Sequence, residues 1–169
     1  MAQLAVTAND AKVELVNDVS KVIANPVPDT VTIIDITASP PKVIAEVEAP
    51  TSVVGPPLSV AITPDESLCA VVAVDGSNKP KESPFHNDAG KLVVFRVEGT
   101  NLAKIGELPI GHWSQGVAIS DDNRTLLVSN MVERNLQVFS LDGGTLKDTG
   151  HTIPLKGGSA AVRVADKPR

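Results

Sequence analysis

The sequence predicts an all-β fold built from a repeated unit of four short antiparallel strands. Three observations carry that expectation. Apolar, β-branched runs recur along the whole 169-residue chain, separated by Gly, Pro, Asn and Asp clusters. No segment holds a 3.6-residue apolar period, so no long helix is expected. The strand pattern also repeats. Ser59-Val-Ala-Ile-Thr-Pro-Asp-Glu-Ser-Leu-Cys-Ala-Val-Val-Ala is followed by Lys91-Leu-Val-Val-Phe-Arg-Val. Gly116-Val-Ala-Ile-Ser-Asp-Asp-Asn-Arg-Thr-Leu-Leu-Val-Ser-Asn is followed by Asn135-Leu-Gln-Val-Phe-Ser-Leu.

In chain order, Leu4 to Asn9 is a strand. Ala11 to Val27 alternates weakly and holds the turn pairs Asn17-Asp18 and Asn25-Pro26, so it reads as a long hairpin excursion. Thr30-Val-Thr-Ile-Ile-Asp-Ile is a β-branched strand, ended by Pro40-Pro41. Lys42 to Val47 is the next strand, and Ala49 to Leu58, with three prolines, is a connection. Val31, Leu92 and Leu136 align, as do Ile33, Val94 and Val138, then Ile34, Phe95 and Phe139, then Ile36, Val97 and Leu141. The first strands align through Val60, Val117 and Val162, and the wider first spacing is explained by an insert, Gly76 to Gly90. A unit of about 40–45 residues with four strands is the signature of a β-propeller blade.

Strands are lettered a to d from the ring axis outward. Blade two (58–111) then uses Ser59–Thr63, Leu68–Val74, Lys91–Val97 and Leu102–Pro109, and blade three (115–156) uses Gly116–Ser120, Thr125–Asn130, Asn135–Leu141 and Leu146–Ile153. Blade one (4–50) has strands b, c and d but no strand a, while Ser159 to Ala165 is a lone strand a. Neighbouring blades pack face to face. Val117, Ile119, Leu127, Leu136, Val138 and Phe139 should therefore be largely buried, with Val60, Ile62, Val94 and Phe95. Propellers close with about four to eight blades. Two three-bladed chains fall inside that range and three fall outside it. The expectation is a head-to-tail homo-oligomer, a dimer first, with the C-terminal strand exchanged between copies.

Composition narrows the function. A net charge of −5 removes the electrostatic footprint of a nucleic-acid binder. Aromatics at 2% argue against stacking platforms. No apolar run reaches bilayer-spanning length, so no membrane partner is expected. Met1-Ala2-Gln3 leads straight into a strand, without the pattern of a signal peptide. Cys69, the only cysteine, reads as a buried small hydrophobe. The three histidines lack metal-site spacing, and neither a phosphate loop nor a dinucleotide fingerprint is present, so neither metal nor cofactor is expected. Asp121-Asp122-Asn123 and Pro64-Asp65-Glu66 share one place in the repeat and read as turns rather than cation loops.

The d–a and b–c connections of a propeller share one face. They gather His86, Asp88, His112, Trp113, Glu133 and Arg134 there, with Arg163 on an inner strand. His112, His86 and Arg134 are the catalytic candidates. A histidine beside charged groups at a channel mouth can act as general base for lactone or ester hydrolysis. Trp113, Glu133 and Arg163 are the candidate contacts for a small-molecule ligand. Each has a plainer reading: solvated loop residues for the polar groups, a plug between blades for the single Trp.

Pro28-Asp-Thr-Val-Thr-Ile-Ile-Asp, Ser59-Val-Ala-Ile-Thr-Pro-Asp, Thr125-Leu-Leu-Val-Ser-Asn and Leu136-Gln-Val-Phe resemble the YVTN-repeat β-propellers, relatives of the bacterial lactonase-type (6-phosphogluconolactonase-like) propellers. The resemblance implies a periplasmic or secreted parent protein, and lactonase chemistry, where present, at the top of the axial channel. No catalytic motif of that family is legible here. The sequence therefore reads first as a non-catalytic, self-associating propeller module with a binding or scaffold role. The alternative is a lactonase-like hydrolase whose site forms at the channel mouth of the closed ring.

Overall fold

The computed structural model describes residues 3–17, 19–51, 59–73, 89–159 and 161–165. Among them the chain forms thirteen strands: β1 (Leu4–Asn9), β2 (Val13–Val16), β3 (Val19–Val22), β4 (Thr30–Asp35), β5 (Lys42–Glu48), β6 (Val60–Ile62), β7 (Leu68–Ala73), β8 (Ala89–Glu98), β9 (Asn101–His112), β10 (Ser114–Ile119), β11 (Thr125–Asn130), β12 (Asn135–Asp142) and β13 (Thr145–Pro154). They make two four-stranded antiparallel sheets, β6-β7-β8-β9 and β10-β11-β12-β13, a three-stranded sheet β1-β4-β5, and the separate hairpin β2-β3. This is an all-β fold of propeller blades. The 11–27 excursion is that hairpin, and the insert expected at 76–90 lies outside the described residues up to position 88.

The repeat positions pair as the alignment requires. Val6 faces Ile33 across β1 and β4, Ala70 faces Val94, and Leu127 faces Val138. Alternate side chains point to opposite faces of each sheet. Cys69, Val71, Val93 and Phe95 of the middle sheet therefore pack with Val31 and Ile33 of the first. Ala70, Val72, Leu92 and Val94 pack with Val117, Leu126, Val128 and Phe139 of the third. The middle sheet is covered on both faces, and β7 is buried along its whole length. Cys69 sits in this core as a small hydrophobe, and burial pushes its thiol up to about 12.

The outer faces differ from the expectation. Val117, Ile119, Phe139, Val94 and Phe95 are buried, but Leu127, Leu136 and Val138 are only half-buried. Their equivalents Ala70, Leu92 and Val94 are fully buried. The repeat position is the same; what is missing is a blade packed against that face of the third sheet. Ile153 on β13 is 45% exposed for the same reason. On the first sheet Ile36 is 43% exposed, whereas its equivalent Leu141 is 5% exposed. Val60 and Ile62 are also half-buried, because they border an open groove on the inner strands.

The segment expected as strand a, Ser159 to Ala165, forms no ladder among the described residues. Residues 161 and 162 lie beside Gly116 of β10. A methyl on Gly116 would lie 2.8 Å from the Val162 nitrogen and 2.8 Å from Ser129 Oγ. A methyl on Gly158 would lie 2.7 Å from Met131 Cγ. The two glycines let the segment approach β10 and the β11–β12 turn closely. Among the described residues no ladder joins it to a second strand. At the other end of the chain, β1 is the innermost strand of its sheet, and its inner edge is without a ladder.

The turns between inner strands clamp the blades to one another. Glu66 and Asn123 occupy equivalent positions, and both have φ of 60°. Glu66 Oε1 accepts the Leu4 N–H at 2.9 Å, and Asn123 Nδ2 donates to Asp65 Oδ2 at 2.7 Å. Burial acts against the charge of Asp65, but the hydroxyls of Thr63 and Ser67, the Ser67 N–H and the Asn123 amide outweigh it and hold the carboxyl at about 2. These acidic turns are inter-blade clasps built from turn chemistry.

Candidate functional site at the channel mouth

The loops on the d–a side converge at one corner. β9 ends at His112, Trp113 makes a left-handed turn (φ 49°), and β10 begins at Ser114. The β11–β12 turn, residues 131–134, lies against it: the N–H groups of Met131 and Val132 donate to the carbonyls of Trp113 and His112, each at 3.4 Å. Glu133 closes the junction. Its two carboxylate oxygens each accept the His112 N–H at 3.0 Å, and Oε1 lies 2.5 Å from His112 Nδ1. Burial opposes ionisation of Glu133. The His112 ring and main-chain N–H more than offset it and hold the carboxyl below its ordinary range. Gly111 is needed here, because a methyl on it would lie 2.6 Å from Glu133 Oε2 and from Asn130 Cγ.

The pairing has a chemical consequence. In the tautomer that carries its proton on Nδ1, the ring donates to the carboxylate, and Nε2 of the partly exposed ring is left with a lone pair. An imidazole held this way can take a proton from water or from a hydroxyl that reaches Nε2. Trp113 is half-buried. Arg134 (φ 55°) is exposed in the same turn, and its carbonyl accepts the Leu155 N–H at 2.7 Å.

The structure thus brings together His112, Trp113, Glu133 and Arg134. It places Arg163 elsewhere, in a groove of about 290 Å³ bordered by Val60, Ile62, Val117, Ile119, Asp121 and Val164. That groove is the channel side of the inner strands, with aliphatic walls and two ionisable groups. His86 and Asp88 lie outside the described residues. Among the described residues no three His, Cys, Asp or Glu side chains converge as a metal site.

Two polar clusters lie outside the residues singled out from the sequence. Behind the corner, the buried Ser114 hydroxyl donates to Asn130 Oδ1 at 2.6 Å, and Asn130 Nδ2 reaches Asn135 and Gln137. Over the first sheet, buried Lys12 pairs with buried Asp29 and lies 2.8 Å from Asp10. Asp29 also accepts the N–H groups of Ala11 and Thr51 and the Thr51 hydroxyl, each at 3.0 Å. An asparagine ending an apolar strand was the available signal for the first cluster. Nothing local marks Lys12 as different from a solvated lysine.

No family model matches the chain, and no curated protein matches it. Solved structures do. A protein of Bacteroides fragilis described as a 6-phosphogluconolactonase is 19% identical with a TM-score of 0.57, covering 78% of this chain and 35% of that one. A protein of unknown function from Desulfotomaculum acetoxidans is 27% identical with a TM-score of 0.53, covering 74% and 35%. The periplasmic gluconolactonase of Pseudomonas aeruginosa is 15% identical with a TM-score of 0.51, covering 86% and 37%. The fold is therefore that of 6-phosphogluconolactonase-like β-propellers. The chain spans little more than a third of the length of each of these structures.

Proposed function

We propose that the chain is a β-propeller module of the YVTN-repeat kind with a binding or scaffold role, and that it completes its ring by self-association. One observation carries this reading: among the described residues, the inner edge of β1 and the 159–165 segment each lack a ladder, and apolar residues of the first and third sheets lie open on the faces turned away from the middle sheet. Leu136 and Val138 on the third sheet and Ile34 and Ile36 on the first are more exposed than Leu92, Val94 and Phe95 of the middle sheet, so each outer face presents apolar side chains that a further blade would cover. Apolar faces of this kind mark association surfaces. A chain truncated after Gly157 is expected to lose assembly and to aggregate, as read by light scattering. A folded monomer from that chain would contradict the reading.

A second reading is a lactonase-like hydrolase with its site at the channel mouth, and the His112–Glu133 pair is the observation that favours it. Hydrolysis of a panel of sugar lactones and aryl esters distinguishes the two. The module reading expects the wild type and His112→Ala to be equally inactive. Turnover by the wild type that His112→Ala loses would establish the hydrolase.

A further inference from the structure

The inner edge of β1 carries no ladder among the described residues, and the repeat supplies a register for a strand placed there. In the middle sheet Val60 faces Val71, and in the third sheet Val117 faces Val128. The strands β1, β7 and β11 align through their partners on β4, β8 and β12: Val6 with Ile33, Ala70 with Val94, Leu127 with Val138. Thr7 is therefore the equivalent of Val71 and Val128. Val162 aligns with Val60 and Val117 in the repeat, and its nitrogen lies close to Gly116 in the folded chain. The segment also runs the right way. It leaves the β11–β12 turn at Gly158 and passes Gly116 at residues 161–162, parallel to β10, as successive inner strands do around an axis.

We propose that residues 159–165 pair antiparallel with β1 of a second copy of this chain, with Val162 opposite Thr7. The inference rests on the self-association reading and adds its register and its seat. The donated strand is held ready by its own third sheet, through the close approaches at Gly116 and Gly158, before a second copy arrives. Pairing then runs Ala161 with Ala8 and Arg163 with Val6, and ends before Leu4, whose N–H Glu66 holds.

The hydrogen-bond pattern agrees. The Val72 N–H donates to the Ser59 carbonyl at 2.8 Å, and Ala8 and Ala161 are the equivalents of those two residues. The Leu4 N–H, on the same edge as that of Ala8, is held by Glu66 rather than by β4. Arg163 falls two residues along that edge from the position Glu66 holds, so a cation arrives beside a carboxylate. Thr7 and Val162 make a non-hydrogen-bonded pair, the kind in which Cα atoms sit about 4.5 Å apart, within disulfide range. The face beside the seam matches as well: Leu127, Leu136 and Val138 of one copy meet the sheet face carrying Ile34 and Ile36 of the other, as their equivalents meet within the chain.

The test uses the full chain with cysteines at the proposed pair. Thr7→Cys chains are mixed with Val162→Cys chains, oxidised mildly and run without reductant, beside each variant alone and beside a Thr7→Cys with Val164→Cys mixture. Cys69 is buried and stays silent. The expected result is a doubling of mass in the first mixture only, reversed by reductant. A dimeric mass by light scattering with no cross-link, or with a stronger link at position 164, would overturn the register while leaving self-association standing. A monomeric mass in all samples would overturn both. Because either cysteine could disturb the strand it sits on, the Ala8→Cys with Ala161→Cys mixture serves as a second pair. It should also cross-link above the position-164 control, and its failure alongside the first pair in a dimeric protein sinks the proposal.

Discussion

Phe139→Ala is expected to destabilise the chain by about 3–5 kcal/mol, the range for deleting a large buried side chain. Phe139 is fully buried between the middle and third sheets, where it packs with Leu68, Val94, Val117 and Val128. On its own sheet it faces Leu126 across one ladder and Asp148 across the other. Urea denaturation of the wild type and the variant reads the loss. A change below about 1 kcal/mol, typical of surface positions, would place the side chain outside the inter-sheet core.

Asp29→Ala is expected to cost about as much, about 3–5 kcal/mol, for a different reason. Its carboxylate joins three parts of the first sheet: the start of the hairpin excursion through Ala11 and Lys12, the start of β4, and the connection to the middle sheet through Thr51. Removing it leaves the Lys12 ammonium buried with Asp10 as a remaining carboxylate, and takes one acceptor away from Ala11 and from Thr51. Glu107→Gln is the contrast. Glu107 bonds Lys91 and Lys104 at the surface, where ion pairs contribute about 0–1 kcal/mol. Equal losses for the two variants would mean that the Lys12–Asp29 cluster is no more than a surface pair.

The fold was legible because its code is local and repeated. Ile33, Val94 and Val138, with their β-branched neighbours, fix strand positions through a period-two pattern, and the acidic turns at Asp65 and Asp122 fix the reversals. The burial of particular residues was less legible. Leu127, Leu136 and Val138 carry the same pattern as Ala70, Leu92 and Val94, yet they stay half-open. Burial there depends on which blade stands next door, a tertiary fact absent from the repeat. At the channel mouth the sequence put His112, Trp113, Glu133 and Arg134 on one face because the connections alternate. It did not show that Glu133 would clasp His112, since that bond depends on the left-handed turn at Trp113 and on the room that Gly111 leaves. Lys12 and Asp29 were out of reach for a similar reason: their pairing is made by the hairpin excursion folding back, not by spacing along a strand.

The central claim is that the two ends of the chain complete each other in a second copy. Light scattering on the full chain at micromolar concentration tests it most directly. The account expects twice the 17.6 kDa chain mass. A monodisperse, folded monomer at 17.6 kDa would contradict it.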